Sequence, residues 1–345
     1  MNLRELSQLL GLSQTTVSRA LNGYPEVSEA TRNRVQQVAR DHNYSPNARA
    51  KGLATGRSHA IGHVIPISHH HEMVNPVFGD FISGVGEVYA REGYDLVMSV
   101  VTTADELNTY RTLAARSSVD GVVLHAPLME DPRIPLMREL GLPFVVHGRA
   151  SHEEEPYSWL DVNNKSAFQR ATDFLLDLGH RQIGLINGLE IQNFAFRRRE
   201  GYVAALKSRG LDLDPTLMRS DEMTEVYGYE SAKEMLQSDT PPSAFLVASM
   251  ISAYGIRRAI QEAGLVMGSD VSVVTFDDDL SYLSNRQDIP IFTACRSSVR
   301  DAGMRVAEML LRQIKAPQSP LEQTLLEAEL IAGRSTGPFT GQIKD

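Results

Sequence analysis

Leu3, Leu6 and Leu10 recur at helical spacing behind Asn2 and Glu5, an Asn-x-x-Glu capping box that predicts a helix from residue 3. Gly11-Leu12 interrupts the stripe, and Ser13 can cap a second helix, about Gln14 to Asn22. That helix buries Val17 and Leu21 and turns Gln14, Thr15, Ser18 and Arg19 outward. A Gly-Tyr-Pro loop leads to Ser28, the cap of a third helix reaching about Asn43, with Val35, Val38 and Ala39 as its inner stripe. Tyr44-Ser45-Pro46 ends it, because proline lacks the donor and biases its predecessor to extended backbone. From His59 the period changes. Nearly continuous apolar runs (AIGHVIPI, YDLVMSVV, VDGVVLHA, LPFVVHG, SWLDV, RQIGLING, SAFLVAS, VSVVTF and FTACR) alternate with amphipathic helical stretches. The helices are expected over 78–92, 104–117, around Leu136, and over 166–178, 198–209, 228–237, 253–263 and 299–314. Fully apolar strands alternating with helices specify parallel α/β sheets. Two such sets imply two lobes with a ligand cleft at the carboxyl ends of the strands.

A short apolar-faced helix, a glycine turn and a helix presenting Gln, Thr, Ser and Arg suit the major groove, where those side chains pair with base edges or phosphates. An ordinary helical hairpin is the alternative for that stretch in isolation. The net charge of −9 over 345 residues argues against a nucleic-acid binder until it is divided. Residues 1–58 hold eight basic and four acidic side chains, +4, which leaves −13 for the remainder. That asymmetry fits a basic DNA-binding arm on an acidic regulatory body. No apolar run is long enough for a transmembrane helix, the leucine-rich start has no signal-peptide core, and Cys295 is the one cysteine, so a cytoplasmic protein without membrane partners is expected.

The phrases TVSRALNG, VSEATRNRV and YSPNARAKGLATGRSHAIG together closely resemble the N-terminus of the LacI/GalR family of bacterial transcription regulators, and LGHRQIGLING and VVTFDDD resemble its periplasmic-binding-protein-like core. The fold implied is a small all-α helix-turn-helix DNA-binding domain plus an α/β periplasmic-binding-protein-like core of two parallel-sheet lobes. The expected division is 1–45 for the DNA-binding domain and 46–58 for a hinge. Residues 59–160 and 291–322 form the N-terminal lobe, 161–290 and 323–336 the C-terminal lobe, and 337–345 a tail. On its own residues, NARAKGLAT reads as a flexible linker. The resemblance implies a hinge helix that folds on the operator, with Leu53 as an apolar wedge in the minor groove and Ala50 as the small residue beside it. The positions expected on DNA are Ser13, Gln14, Thr15, Thr16, Ser18, Arg19, Asn22, Arg32, Asn47, Ala50, Lys51 and Leu53.

A polyol calls for a carboxylate and an arginine making paired hydrogen bonds, with an aromatic face against the ring. The resemblance places Asp277 of VVTFDD, Arg198 or Arg197 of FRRREGY, Ser249 of LVASMISA and Phe78 of NPVF on the cleft; His147 and Arg149 of FVVHGR follow a strand end. Met250 stands where relatives carry an aspartate after that serine, which weakens the corner. No phosphate loop, dinucleotide fingerprint, nucleophile elbow or HExxH occurs, so no enzyme and no cofactor is expected. Adjacent residues such as His69-His70-His71 rarely converge on one ion, and no metal is expected. The reading is a homodimeric repressor on an inverted-repeat operator, released by a sugar, possibly an α-glucoside or related disaccharide. A purine or nucleoside co-repressor is the alternative, and a sugar-binding protein without a regulatory role the remote one. The last residues, with Pro, Gly and no heptads, favour a dimer.

Overall fold

The computed structural model describes residues 1–44, 57–67, 75–153, 155–276, 280–285 and 288–341. Two compact units divide the chain, one built around residues 1–59 and one holding 60–116 and 120–345. In the first, α1 (Leu3–Leu10), α2 (Gln14–Leu21) and α3 (Glu29–Asp41) close on a core of Leu6, Leu10, Val17, Ala20, Val27, Val35 and Ala39. The capping box forms on both sides: Asn2 Oδ1 accepts from the Glu5 backbone N–H at 3.0 Å, and the Asn2 N–H donates to Glu5 Oε2 at 3.0 Å. Gly11 ends α1 at φ 65°, a left-handed conformation natural to glycine. Ser13 and Ser28 cap the next helices as their positions require.

The second unit contains two six-stranded sheets. The first runs β11-β5-β4-β3-β1-β2, all parallel, from β1 (Ala60–Ile67), β2 (Asp95–Thr102), β3 (Gly121–His125), β4 (Phe144–His147), β5 (Trp159–Val162) and β11 (Gln323–Leu326). The second runs β12-β10-β9-β8-β6-β7, from β6 (Ile183–Asn187), β7 (Met218–Ser220), β8 (Ala244–Val247), β9 (Ser272–Phe276), β10 (Thr293–Arg296) and β12 (Glu329–Ile331). Of these only β12 pairs antiparallel, on β10. The intervening helices are α4 (Pro76–Glu92), α5 (Glu106–Ala115), α6 (Arg133–Glu139), α7 (Asn164–Asp177), α8 (Asn193–Ser208), α9 (Glu225–Leu236), α10 (Met250–Glu262) and α11 (Val299–Lys315).

The expected lobe boundaries move. β5 and β11 belong to the first sheet and β10 to the second, so the chain passes between halves after residue 162, after 296 and between 326 and 329. Each passage lies C-terminal of its expected place: Val162 completes β5, β10 carries Thr293–Arg296 into the second sheet, and all of β11 pairs with β5 in the first. Residues 337–339 are likewise no free tail, since the Phe339 N–H donates to the Leu178 carbonyl at 2.8 Å and the Gly337 N–H to Ser272 Oγ at 3.1 Å.

Helix pairs meet over glycine. A Cβ on Gly84 of α4 would fall on the Arg300 carbonyl oxygen of α11, and one on Gly303 of α11 on that of Phe81. Gly303→Ala is expected to lower stability by about 1–3 kcal/mol through overpacking. An unchanged urea midpoint would show that the crossing can open at no cost.

Candidate effector cavity and DNA-facing helix

On α2, Gln14, Thr15 and Arg19 are exposed and Ser18 is half-buried, so one face carries amide, hydroxyl and guanidinium groups together. Arg19 has no ion-pair partner among the described residues. Ser13 and Thr16 bond each other at 2.8 Å in the cap, and Asn22 Nδ2 donates to the Ser18 carbonyl at 2.8 Å. Arg32 is held by the loop before α3. Its Nη2 donates to the Tyr24 and Val27 carbonyls, 2.9 and 3.3 Å away, which ties down the loop between α2 and α3. Asn47, Ala50, Lys51 and Leu53, with most of the expected hinge at 46–58, lie outside the described residues.

Within the second unit a cavity of about 220 Å³ opens between the sheets, somewhat below the usual small-molecule range of about 300–1,000 Å³. Aromatic faces come from Phe78 and Phe81 of α4, Phe194 of α8 and Phe276 at the end of β9. Polar groups come from His125, His147, Arg149, Asp161, Asn164 and Arg198. His125 and His147 end β3 and β4, Arg149 follows β4, Asp161 lies within β5, Asn164 opens α7 and Arg198 lies in the second turn of α8.

Arg198, on α8, is 4% exposed, and its Nε donates to Asn164 Oδ1 at 2.8 Å and its Nη1 to the Ala248 carbonyl at 2.7 Å. Its guanidinium lies 3.9 Å from the Phe276 ring centre and 4.9 Å from that of Phe194. Of Arg197 and Arg198, Arg198 is the one that lines the cavity. Arg197 instead donates to Asn193 Oδ1 at 2.5 Å and does not line the cavity. Burial, then repulsion from Arg149, pull the Arg197 pKa down.

Arg149 Nε donates to Asp161 Oδ2 at 2.9 Å and its guanidinium covers the Trp159 ring at 5.2 Å. Burial pushes the Asp161 carboxyl up, against the pull of Arg149. Ser249 does not reach the cavity. It is 1% exposed and caps α10, accepting from the Ile251 N–H at 3.2 Å, so its hydroxyl serves the helix start. Asp277, like Asp278, Asp279 and His69-His70-His71, lies outside the described residues.

The halves also touch beside the cavity. The Asn193 N–H donates to the Pro127 carbonyl at 2.9 Å, its Nδ2 to Ser151 Oγ at 2.6 Å, and Leu128 forms a backbone bridge with Gln192. Such contacts exist only when the halves are close, so a ligand that spans the cavity biases them.

His125 was legible by the reasoning that singles out His147, since both are the last residues of neighbouring strands and face each other in register. His63, buried completely on β1, bonds through Nδ1 to His125 Nε2 at 3.0 Å and through Nε2 to Tyr89 Oη at 3.1 Å. His147 stacks on Phe81 with ring centres 4.3 Å apart. Burial pulls His63 down to about 3 and His147 to about 4. The unfolded chain takes up protons on these rings below about pH 6.5 while the folded chain does not, so stability falls as the pH drops through that value. At pH 5, His63 alone is expected to remove about 2 kcal/mol of folding free energy relative to pH 7. Urea unfolding at the two pH values measures it, and equal midpoints contradict a buried neutral His63.

Residues 2–47 match the model of bacterial regulatory proteins, lacI family, and residues 172–336 that of a periplasmic binding protein-like domain. The HTH-type transcriptional regulator AglR of Rhizobium meliloti is 43% identical over 98% of this chain and 94% of its own length. The chain belongs to the lacI family. The HTH-type transcriptional regulator RafR of Escherichia coli is 33% identical over 80% of the chain and 82% of its length. Among solved structures, a transcriptional regulator CelR–cellobiose complex superposes with a TM-score of 0.72 at 26% identity, covering 97% of this chain and 99% of that one. A lac repressor dimer bound to operator and the anti-inducer ONPF, at 24% identity, 98% and 99% coverage and a TM-score of 0.82, shares the lacI-family fold. No helix among the described residues is long and apolar enough to cross a membrane.

Proposed function

We propose that this lacI-family chain is a homodimeric repressor that binds an inverted-repeat operator and leaves it when a sugar, an α-glucoside or related disaccharide, occupies the cavity. The observation that carries the effector reading is the union of aromatic faces (Phe78, Phe194, Phe276) with the Arg198–Asn164 and Arg149–Asp161 pairs in one cavity. Sugar rings stack their C–H faces on aromatics while hydroxyls take paired hydrogen bonds. The cellobiose complex of CelR and the ribose bound to a LacI family regulator from Enterococcus faecium support this chemistry. The same aromatic faces would stack a purine, the second reading, and PurR repressors stand among the relatives. No step in this scheme needs a nucleophile or a metal, and the protein acts in the cytoplasm as a regulator, without catalysis.

In the proposed complex α2 lies in the major groove with Gln14, Thr15 and Arg19 nearest the bases, and the two Leu53 side chains wedge the central step. Leu53→Ala is expected to reduce the operator bend; an unaltered bend angle refutes the wedge. A thermal-shift screen over maltose, sucrose, trehalose, cellobiose, ribose, hypoxanthine and guanine tests the effector class. A ligand at about 100 times its Kd adds about 2.7 kcal/mol of stability. A shift with a nucleobase and none with any sugar overturns the sugar reading.

A further inference from the structure

Tyr89, His63 and His125 form a hydrogen-bonded line from the core to the cavity wall. Tyr89 is 1% exposed, and among the described residues its hydroxyl meets one partner, His63 Nε2. Were that hydroxyl to accept, its own hydrogen would be buried with nothing to receive it, which is the costly arrangement. It therefore donates to Nε2. His63 has no exposed surface and is neutral, so its single proton sits on Nδ1 and is donated to His125 Nε2. His125 in turn must carry its proton on Nδ1. The buried side-chain atoms without a partner among the described residues are Arg32 Nε, Tyr110 Oη, Asn187 Oδ1 and Gln313 Oε1, and His125 Nδ1 is not one of them. Since no described group bonds that nitrogen either, it opens on the cavity that His125 lines.

We infer that the Tyr89–His63 pair is a positioning relay that locks His125 as a hydrogen-bond donor toward the effector, so that the ligand must bring an acceptor oxygen to that point. A hydroxyl or ring oxygen fits. An ammonium or other donor-only group does not. The selectivity rests on the effector reading above, whereas the relay itself is a property of the unliganded protein. His147 stands outside the line, whose hydrogen bonds join Tyr89, His63 and His125, and its ring centre lies 6.5 Å from that of His125. The sequence signal was a histidine in the middle of the apolar run AIGHVIPI, where a strand buried on both faces otherwise admits no polar group.

The test is solid-state NMR of the full chain labelled with ¹⁵N,¹³C-histidine at pH 7, with His63 and His125 identified from His63→Gln and His125→Asn spectra. Both rings are expected to be neutral and protonated on Nδ1, and Tyr89→Phe is expected to bring up the Nε2-protonated form of His125. A His125 protonated on Nε2 in the parent chain, or a pattern untouched by Tyr89→Phe, overturns the relay. Maltose, sucrose, trehalose, cellobiose and ribose are then added in turn. For whichever raises the thermal midpoint, the His125 Nδ1 proton is expected to move downfield as it is donated. Binding without that movement refutes the donor role, and binding of none defeats the sugar reading while the tautomers still decide the relay.

Discussion

An Arg198→Ala chain is expected to hold operator DNA with unchanged affinity and to ignore its effector. Arg198 is 4% exposed, fixed by Asn164 and the Ala248 carbonyl, and lies over Phe276, so its charge is presented to the cavity in one orientation. Hydrogen bonds to a charged group contribute about 1.5–3 kcal/mol, so losing one to the ligand weakens binding about 10- to 150-fold. The substitution also leaves the Asn164 amide oxygen and the Ala248 carbonyl without their donor, which costs about 1–3 kcal/mol of stability in the same unit. Helices α1–α3 have a core of their own and lose nothing by it. Calorimetric titration of the effector and anisotropy of labelled operator separate the two effects. A variant still released by the ligand at the parental concentration removes Arg198 from the site.

Arg19→Ala is expected to produce the opposite phenotype, in which effector binding is kept and specific operator affinity drops. An arginine paired with a guanine edge discriminates by about 1–3 kcal/mol, or about 5- to 150-fold. The loss should be larger for the specific site than for random DNA, because a phosphate contact would weaken both alike and chiefly reduce the salt dependence. Anisotropy titrations on both DNAs at two salt concentrations measure this. Equal losses on both reassign Arg19 to the backbone, and no loss removes it from the interface.

The helix ends of the first unit were legible because their signals are local. Asn2, Glu5, Gly11, Ser13 and Ser28 each fix a helix end within a few residues of sequence, and all act as those positions require. The alternation of strands and helices was equally plain from His59 onward. Helix starts were not: α8, α9 and α10 begin at Asn193, Glu225 and Met250, three to five residues before their expected starts. The first turns of α8 and α9 carry polar residues such as Asn193 and Glu225, whereas Met250 of α10 is buried and extends the stripe of Ala253 and Ile256 by one turn. β11 and β12 also escaped. QTLL and ELI are short edge strands with partly exposed residues, and their place depends on pairing with β5 and β10 from distant parts of the chain.

The cavity shows the same division. Phe78, His147, Arg149 and Arg198, each singled out from the sequence, line the cavity. Asp161 and Asn164 are not legible locally because their role depends on the arginines that fold onto them, Arg149 from just past the preceding strand β4 and Arg198 from a helix 34 residues on. Ser249 misled for the reverse reason: a serine at a strand end also makes a good helix cap, and the local bond won. Arg32 was claimed by the carbonyls of the loop it follows.

In the proposed scheme, occupancy of the cavity decides the grip of α2 on DNA. Coupling of this kind typically amounts to about 1–3 kcal/mol, or 5- to 150-fold in operator affinity. An inverted repeat selected from random DNA by the full chain, labelled and titrated with and without the sugar that raises the thermal midpoint, tests it most directly. Operator affinity is expected to fall within that range for the parent and not at all for Arg198→Ala. An operator affinity indifferent to a sugar that demonstrably binds would contradict it.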